Sequence, residues 1–147
     1  MTTRTIMLVE DNPDDEMLTL RALKKNSILN DIIVARDGAE ALEVLFAKAS
    51  RGEPLPGLIL LDLKLPKLDG LEVMRRIRED ERTRIIPVVI LTGSKLDEDI
   101  LAGYRGGANA YVRKPVNFAE FAEAVKALGL FWLILNEPVP AFVPKPD

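Results

Sequence analysis

The chain alternates between two hydrophobic periods. Thr5 to Val9 is an apolar run that reads as a strand and stops at Glu10-Asp11-Asn12-Pro13. Met17, Leu20 and Leu23 then recur at helical spacing, behind Asp14-Asp15-Glu16, whose acids suit a helix N-terminus. Asp31 to Ala35 predicts a second strand, and Gly38 to Ala49 a second helix with Leu42, Leu45 and Phe46 inward. After a Pro- and Gly-rich loop over 50–57, Leu58 to Asp62 predicts a third strand, and Leu71, Met74 and Ile77 mark a third helix. Pro87 to Leu91 is a fourth strand, Asp97 to Tyr104 a short, weak helix closed by Gly106-Gly107, and Ala110 to Val112 a fifth strand. A fifth helix is expected from Asn117 to about Leu135, with Phe118, Phe121, Val125 and Leu128 on its core face.

Strands alternating with helices imply an α/β fold, a parallel sheet covered on both faces. The uninterrupted aliphatic strands agree, because a sheet with one wet face would show alternation. A chain of 147 residues suits one domain. Residues 1–128 are expected to form its core, and 129–147 an apolar helix extension with a Pro-rich arm.

Composition narrows the chemistry. Twenty basic against 23 acidic residues leave a net charge of -3, which gives no sign of a nucleic-acid surface. The chain has no cysteine and no histidine, so thiolate chemistry, a His base and a His metal ligand are all excluded. No signal peptide is visible, and the longest apolar stretch, Leu128 to Leu135, is far below the ~20 residues that cross a bilayer. A cytoplasmic protein without a membrane partner is expected.

In an open parallel sheet, ligands gather at the carboxyl ends of the strands. The first run ends in Glu10-Asp11, the third in Asp62, the fourth in Thr92, and the fifth leads to Lys114-Pro115. Each has an ordinary reading taken alone. Asp62 could end a strand at a solvated turn, Glu10-Asp11 could cap a helix, Thr92 could be a turn residue and Lys114 a surface cation. Together they put three carboxylates, a hydroxyl and an ammonium at the same end of different strands. Hard oxygen ligands without His or Cys favour Mg2+, and the set suits phosphoryl transfer onto a carboxylate.

IMLVEDNPDD, LILLDLKLPKLDG, PVVILTGS and ANAYVRKP, in this order and spacing over roughly residues 4–128, resemble a bacterial response-regulator receiver domain. That resemblance implies a flavodoxin-like, doubly wound five-stranded parallel sheet of order 2-1-3-4-5 with five helices. It implies a two-component signalling role, with Asp62 accepting a phosphoryl group from a phosphohistidine on a sensor histidine kinase. Asp11 and Asp62 would bind Mg2+ directly, Glu10 through water, and the Lys64 backbone carbonyl would complete the protein ligands. Lys114 would pair with the phosphoryl group, Thr92 would shift toward it, and Tyr111 would move inward with Thr92. The Lys64 side chain, two residues past the acceptor, would shield the site from water or pair with Glu10, and self-dephosphorylation would be moderate to slow. The glycine-rich stretch Asp97 to Gly107 is the element expected to respond, since glycine weakens a helix.

The tail leaves two readings. LFWLIL is apolar all round and precedes NEPVPAFVPKPD, which holds four of the ten prolines. Trp132 and its neighbours either fold back on their own domain or form a homodimer interface through Leu130, Phe131, Trp132, Ile134 and Leu135, with the stiff arm reaching across. The extension resembles stand-alone receivers paired with phytochrome-type sensor kinases, which makes a bacteriophytochrome a candidate partner. The alternative output is a phosphorelay intermediate without a switch. Two other classes fit less well. An aspartyl-phosphate hydrolase would want an acid where Lys64 stands. A flavodoxin-like electron carrier would not place EDNPDDE against a flavin phosphate.

Overall fold

The structure, a computed structural model, describes residues 5–25, 30–93 and 97–113, with Ala119, Glu123, Lys126 and Ala127. Five strands form one parallel sheet: β1 Ile6–Val9, β2 Ile32–Ala35, β3 Leu58–Leu61, β4 Val88–Thr92 and β5 Ala110–Arg113. Their order is β2-β1-β3-β4-β5, as the resemblance implied. Four helices connect them: α1 Pro13–Lys25, α2 Gly38–Ser50, α3 Gly70–Glu79 and α4 Asp97–Arg105. Where a fifth helix was expected, the four isolated described positions are helical. The strands begin and end within a residue of the sequence reading; β3 stops at Leu61, which leaves Asp62 as the first residue beyond it.

Successive side chains along a strand face opposite sides of the sheet, and here both sides are apolar. Met7, Val9, Ile59, Leu61, Val88 and Ile90 pack with Ala41, Leu42 and Leu45 of α2 and Val73, Met74 and Ile77 of α3. Ile6, Leu8, Leu58, Leu60 and Val89 face the other way, against Leu20 of α1. This two-sided burial explains why the strands carry no polar alternation. Helices α1, α2 and α3 begin with polar caps: Asn12 Oδ1 accepts from the Asp14 and Asp15 amides (2.8 and 3.2 Å), Asp37 Oδ1 from Glu40 (2.8 Å), and Asp69 Oδ1 from Glu72 (3.0 Å).

The edge where β4 and β5 begin is stitched by one side chain. Arg78, at the end of α3, donates Nη1 to the carbonyls of Arg84 and Ile86 (both 2.7 Å) and Nη2 to Gly107 O (2.7 Å) and Asn109 Oδ1 (3.0 Å). Burial lowers its pKa from the ordinary arginine value.

Candidate functional site

The register of the parallel strands assembles the opposite edge. Val9 pairs with Leu61, so Glu10 and Asp62, the next residue on each strand, emerge side by side. Leu61 pairs with Ile90, which puts Thr92 just beyond the level of Asp62 on the adjacent strand. The Asp62 amide still donates to Val9 O (3.1 Å), so the carboxylate leaves a rigid ladder rather than a loose loop.

The loop after Asp62 is shaped around it. The Lys64 amide donates to Asp62 Oδ1 (3.1 Å) and the Gly70 amide to Leu63 O (3.0 Å). A Cβ at Gly70 would stand 2.3 Å from the Asp62 carbonyl oxygen, so only glycine lets α3 start this close to the strand end. Between them Lys67 takes a positive φ of 63°, the Leu68 amide donates to Pro66 O (2.7 Å), and the Lys67 ammonium lies 3.3 Å from Asp37 Oδ2.

Glu10, Asp11 and Asp62 each offer a carboxylate oxygen within 4.8 Å of the others; Glu10 and Asp62 are buried and Asp11 is exposed. Three like charges at that spacing, two of them shielded from water, repel unless a cation shares the space. An all-oxygen donor set with one wet member fits a divalent ion that keeps water in its shell. Thr92 is also buried, at 1% exposure, so its hydroxyl lies at the strand end without being a surface turn residue. Asn12, whose amide lies 3.4 Å from Glu10 Oε2, ties the acidic pair to the start of α1, a role the sequence reading had not assigned.

Three carboxylates and Thr92 therefore come together at one edge. Tyr111 stands on β5, half-buried beside α4, its ring centroid 6.5 Å from that of Tyr104. The Lys64 ammonium, for which shielding or a Glu10 partner was expected, meets Asp99 Oδ2 on α4 at 3.7 Å. The sequence reading had passed over Asp99. Lys114 follows Arg113 in sequence but lies outside the described residues, as do Leu130, Phe131, Trp132, Ile134, Leu135 and the rest of residues 128–147.

Residues 6–126 match the response regulator receiver domain family. The chain belongs to that family. This receiver is 42% identical over 137 residues to the probable methanogenesis regulatory protein FilR2 of Methanothrix harundinacea, covering 92% of this chain and 88% of FilR2. It is 38% identical over 131 residues to response regulator Rcp1 of a Synechocystis species, 88% of this chain and 89% of Rcp1. The Mn2+-bound form of Rcp1 superposes with a TM-score of 0.82, covering 93% of this chain and 99% of Rcp1 at 35% identity. The phosphorylated cyanobacterial phytochrome response regulator RcpA gives a TM-score of 0.84 at 36% identity, again covering 93% of this chain and 99% of RcpA. The receiver thus shares its fold and family with phytochrome response regulators. Among the described residues, no helix is long and apolar enough to cross a membrane.

Proposed function

We propose that this receiver accepts a phosphoryl group on Asp62 from the phosphohistidine of a sensor histidine kinase and signals the modification through protein contacts. The observation that carries the reading is the buried Asp62 carboxylate within 4.8 Å of Glu10 and Asp11 carboxylate oxygens. A Mn2+-bound relative and the all-oxygen donor set support Mg2+ as the ion, which Glu10, Asp11, Asp62 and the Lys64 carbonyl would hold. When bound, the ion neutralises the clustered carboxylates and the incoming phosphoryl oxygens.

The chain's own groups do the rest. An Asp62 carboxylate oxygen attacks phosphorus as the P–N bond to the donor imidazole breaks, and the imidazole nitrogen keeps the bonding pair and takes up a proton. The Lys64 amide, donating to Asp62 Oδ1, orients the carboxylate for that attack. The Thr92 hydroxyl and the Lys114 ammonium serve the phosphoryl oxygens, and Tyr111 follows Thr92 as the switch element. Beyond attaching and shedding this group, the receiver turns over no external substrate.

The partner class follows from the family and from the phytochrome response regulators it resembles: a sensor kinase, with a bacteriophytochrome the favoured candidate. The apolar LFWLIL segment supports homodimerisation through Leu130, Phe131, Trp132, Ile134 and Leu135, and the protein is assigned to the cytoplasm. The test of the acceptor is incubation with a small acyl phosphate and Mg2+, followed by intact mass. Wild type gains one phosphoryl group and Asp62→Asn gains none; an Asp62→Asn protein labelled as well as wild type would move the acceptor elsewhere.

A further inference from the structure

The two ends of α4 are held by different means. The turn beyond its C-terminal end is clamped by Arg78, whose Nε and Nη2 both donate to Gly107 O (3.1 and 2.7 Å). Asn109 Oδ1 adds to the clamp by accepting from Arg78 Nη2 and from the Val88 amide (3.0 and 2.8 Å). In mid-helix, Gly103 rests on the sheet so closely that a Cβ would stand 2.6 Å from Ile90 Cδ1. Toward the N-terminal end, Asp99 carries the 3.7 Å ion pair with Lys64.

Lys64 faces two ways. Its backbone amide holds the Asp62 carboxylate at 3.1 Å, while its ammonium holds α4. The Lys64 side chain is 72% exposed and that of Asp99 only 19%, so the lysine is the member free to change place.

We infer that Lys64 and Asp99 form a charge-exchange latch: a phosphoryl group on Asp62 draws the Lys64 ammonium from Asp99, and the N-terminal half of α4 moves about its clamped C-terminal end. The inference rests on the reading of Asp62 as the acceptor. A phosphoryl group brings about -1.5 to -2 of charge, more than the single carboxylate it competes with. A long, half-exposed ion pair is a weak tie, which suits a contact that must be exchanged. Asp99 is then a positioning residue, touching neither the phosphoryl group nor the metal, and α4 is the two-state element the charge biases.

The test is hydrogen exchange on the full chain in Mg2+, with and without beryllofluoride as phosphoryl mimic, for wild type, Asp99→Asn and Asp99→Glu. Fluorine NMR of the same samples reads whether the mimic is bound. In wild type the mimic should speed exchange in the 97–105 peptide by about two- to fivefold, the scale of losing one exposed ion pair, with the β1 and β3 peptides unchanged. Asp99→Asn should bind the mimic yet show the faster exchange without it and gain nothing further; Asp99→Glu, which keeps the charge, should still respond. Asp99→Asn matching wild type in both states, with the mimic bound, would overturn the latch and leave Asp62 as acceptor. No bound mimic on wild type would overturn the acceptor reading and the latch with it.

Discussion

The two edges of the sheet handle buried charge in opposite ways. Where β4 and β5 begin, a single guanidinium is surrounded by acceptors, three carbonyls and an amide oxygen between 2.7 and 3.1 Å. Where β1, β3 and β4 end, carboxylates crowd one another, with Glu10 and Asp62 both withdrawn from water. The first arrangement satisfies a charge and welds loops together. The second gathers three carboxylates at one edge, a donor set that suits a divalent cation.

That contrast is sharpest in function. Asp62→Asn should abolish phosphoryl acceptance altogether, while Arg78→Met should leave it measurable in whatever fraction is folded; intact mass after acyl phosphate treatment reads both. In stability the order reverses. Arg78→Met strands several carbonyls in a half-buried place and should cost about 3 kcal/mol in denaturant unfolding. Gly70→Ala lies between the two edges in character, because the added methyl meets the Asp62 carbonyl oxygen at 2.3 Å. It should cost about 2 kcal/mol and weaken Mg2+ binding as well, measured by unfolding and by titration calorimetry.

Much of this was legible in the sequence, for a physical reason. Glu10, Asp11 and Asp62 each end an aliphatic run; taken alone each has an ordinary explanation, but parallel strand order brings the three to one edge. Arg78 was not legible. In MRRIRED it looks like any solvated helix cation, and only the loops arriving from residues 84–86 and 107–109 turn it into a staple. Lys64–Asp99 was hidden likewise, since the pair depends on where α4 lies over the β3–α3 loop, a long-range placement with no local signature. Gly70 has no local signature either: the structure demands glycine there for closeness to Asp62 rather than for an unusual φ.

Smaller effects mark what lies outside both edges. Asp69→Ala removes the cap of α3 and should cost about 1 kcal/mol without changing acceptance, as unfolding and mass spectrometry would show. Glu72, on the exposed face of α3, is held at a pKa of about 2 from an ordinary 4.5, foremost by the hydrogen bond from Arg75 and further by Arg76. Because its folded pKa is depressed, its contribution to stability is present above pH 4.5 and fades as pH falls toward 2. A carboxyl NMR titration should place its midpoint below 4.5, and the size of that displacement sets the pH-dependent stability it contributes, which screening by water reduces at this exposed site.

On the proposed function, the edge carrying Asp62 gathers its carboxylates for a metal and a phosphoryl group. Chemical unfolding of wild type and Asp62→Asn, each in chelator and in saturating Mg2+, tests it most directly. The account predicts that Asp62→Asn is the more stable protein in chelator, since one of three crowded charges is gone, and that Mg2+ stabilises wild type but adds little to the variant. A wild type that is the more stable in chelator and indifferent to Mg2+ would contradict it.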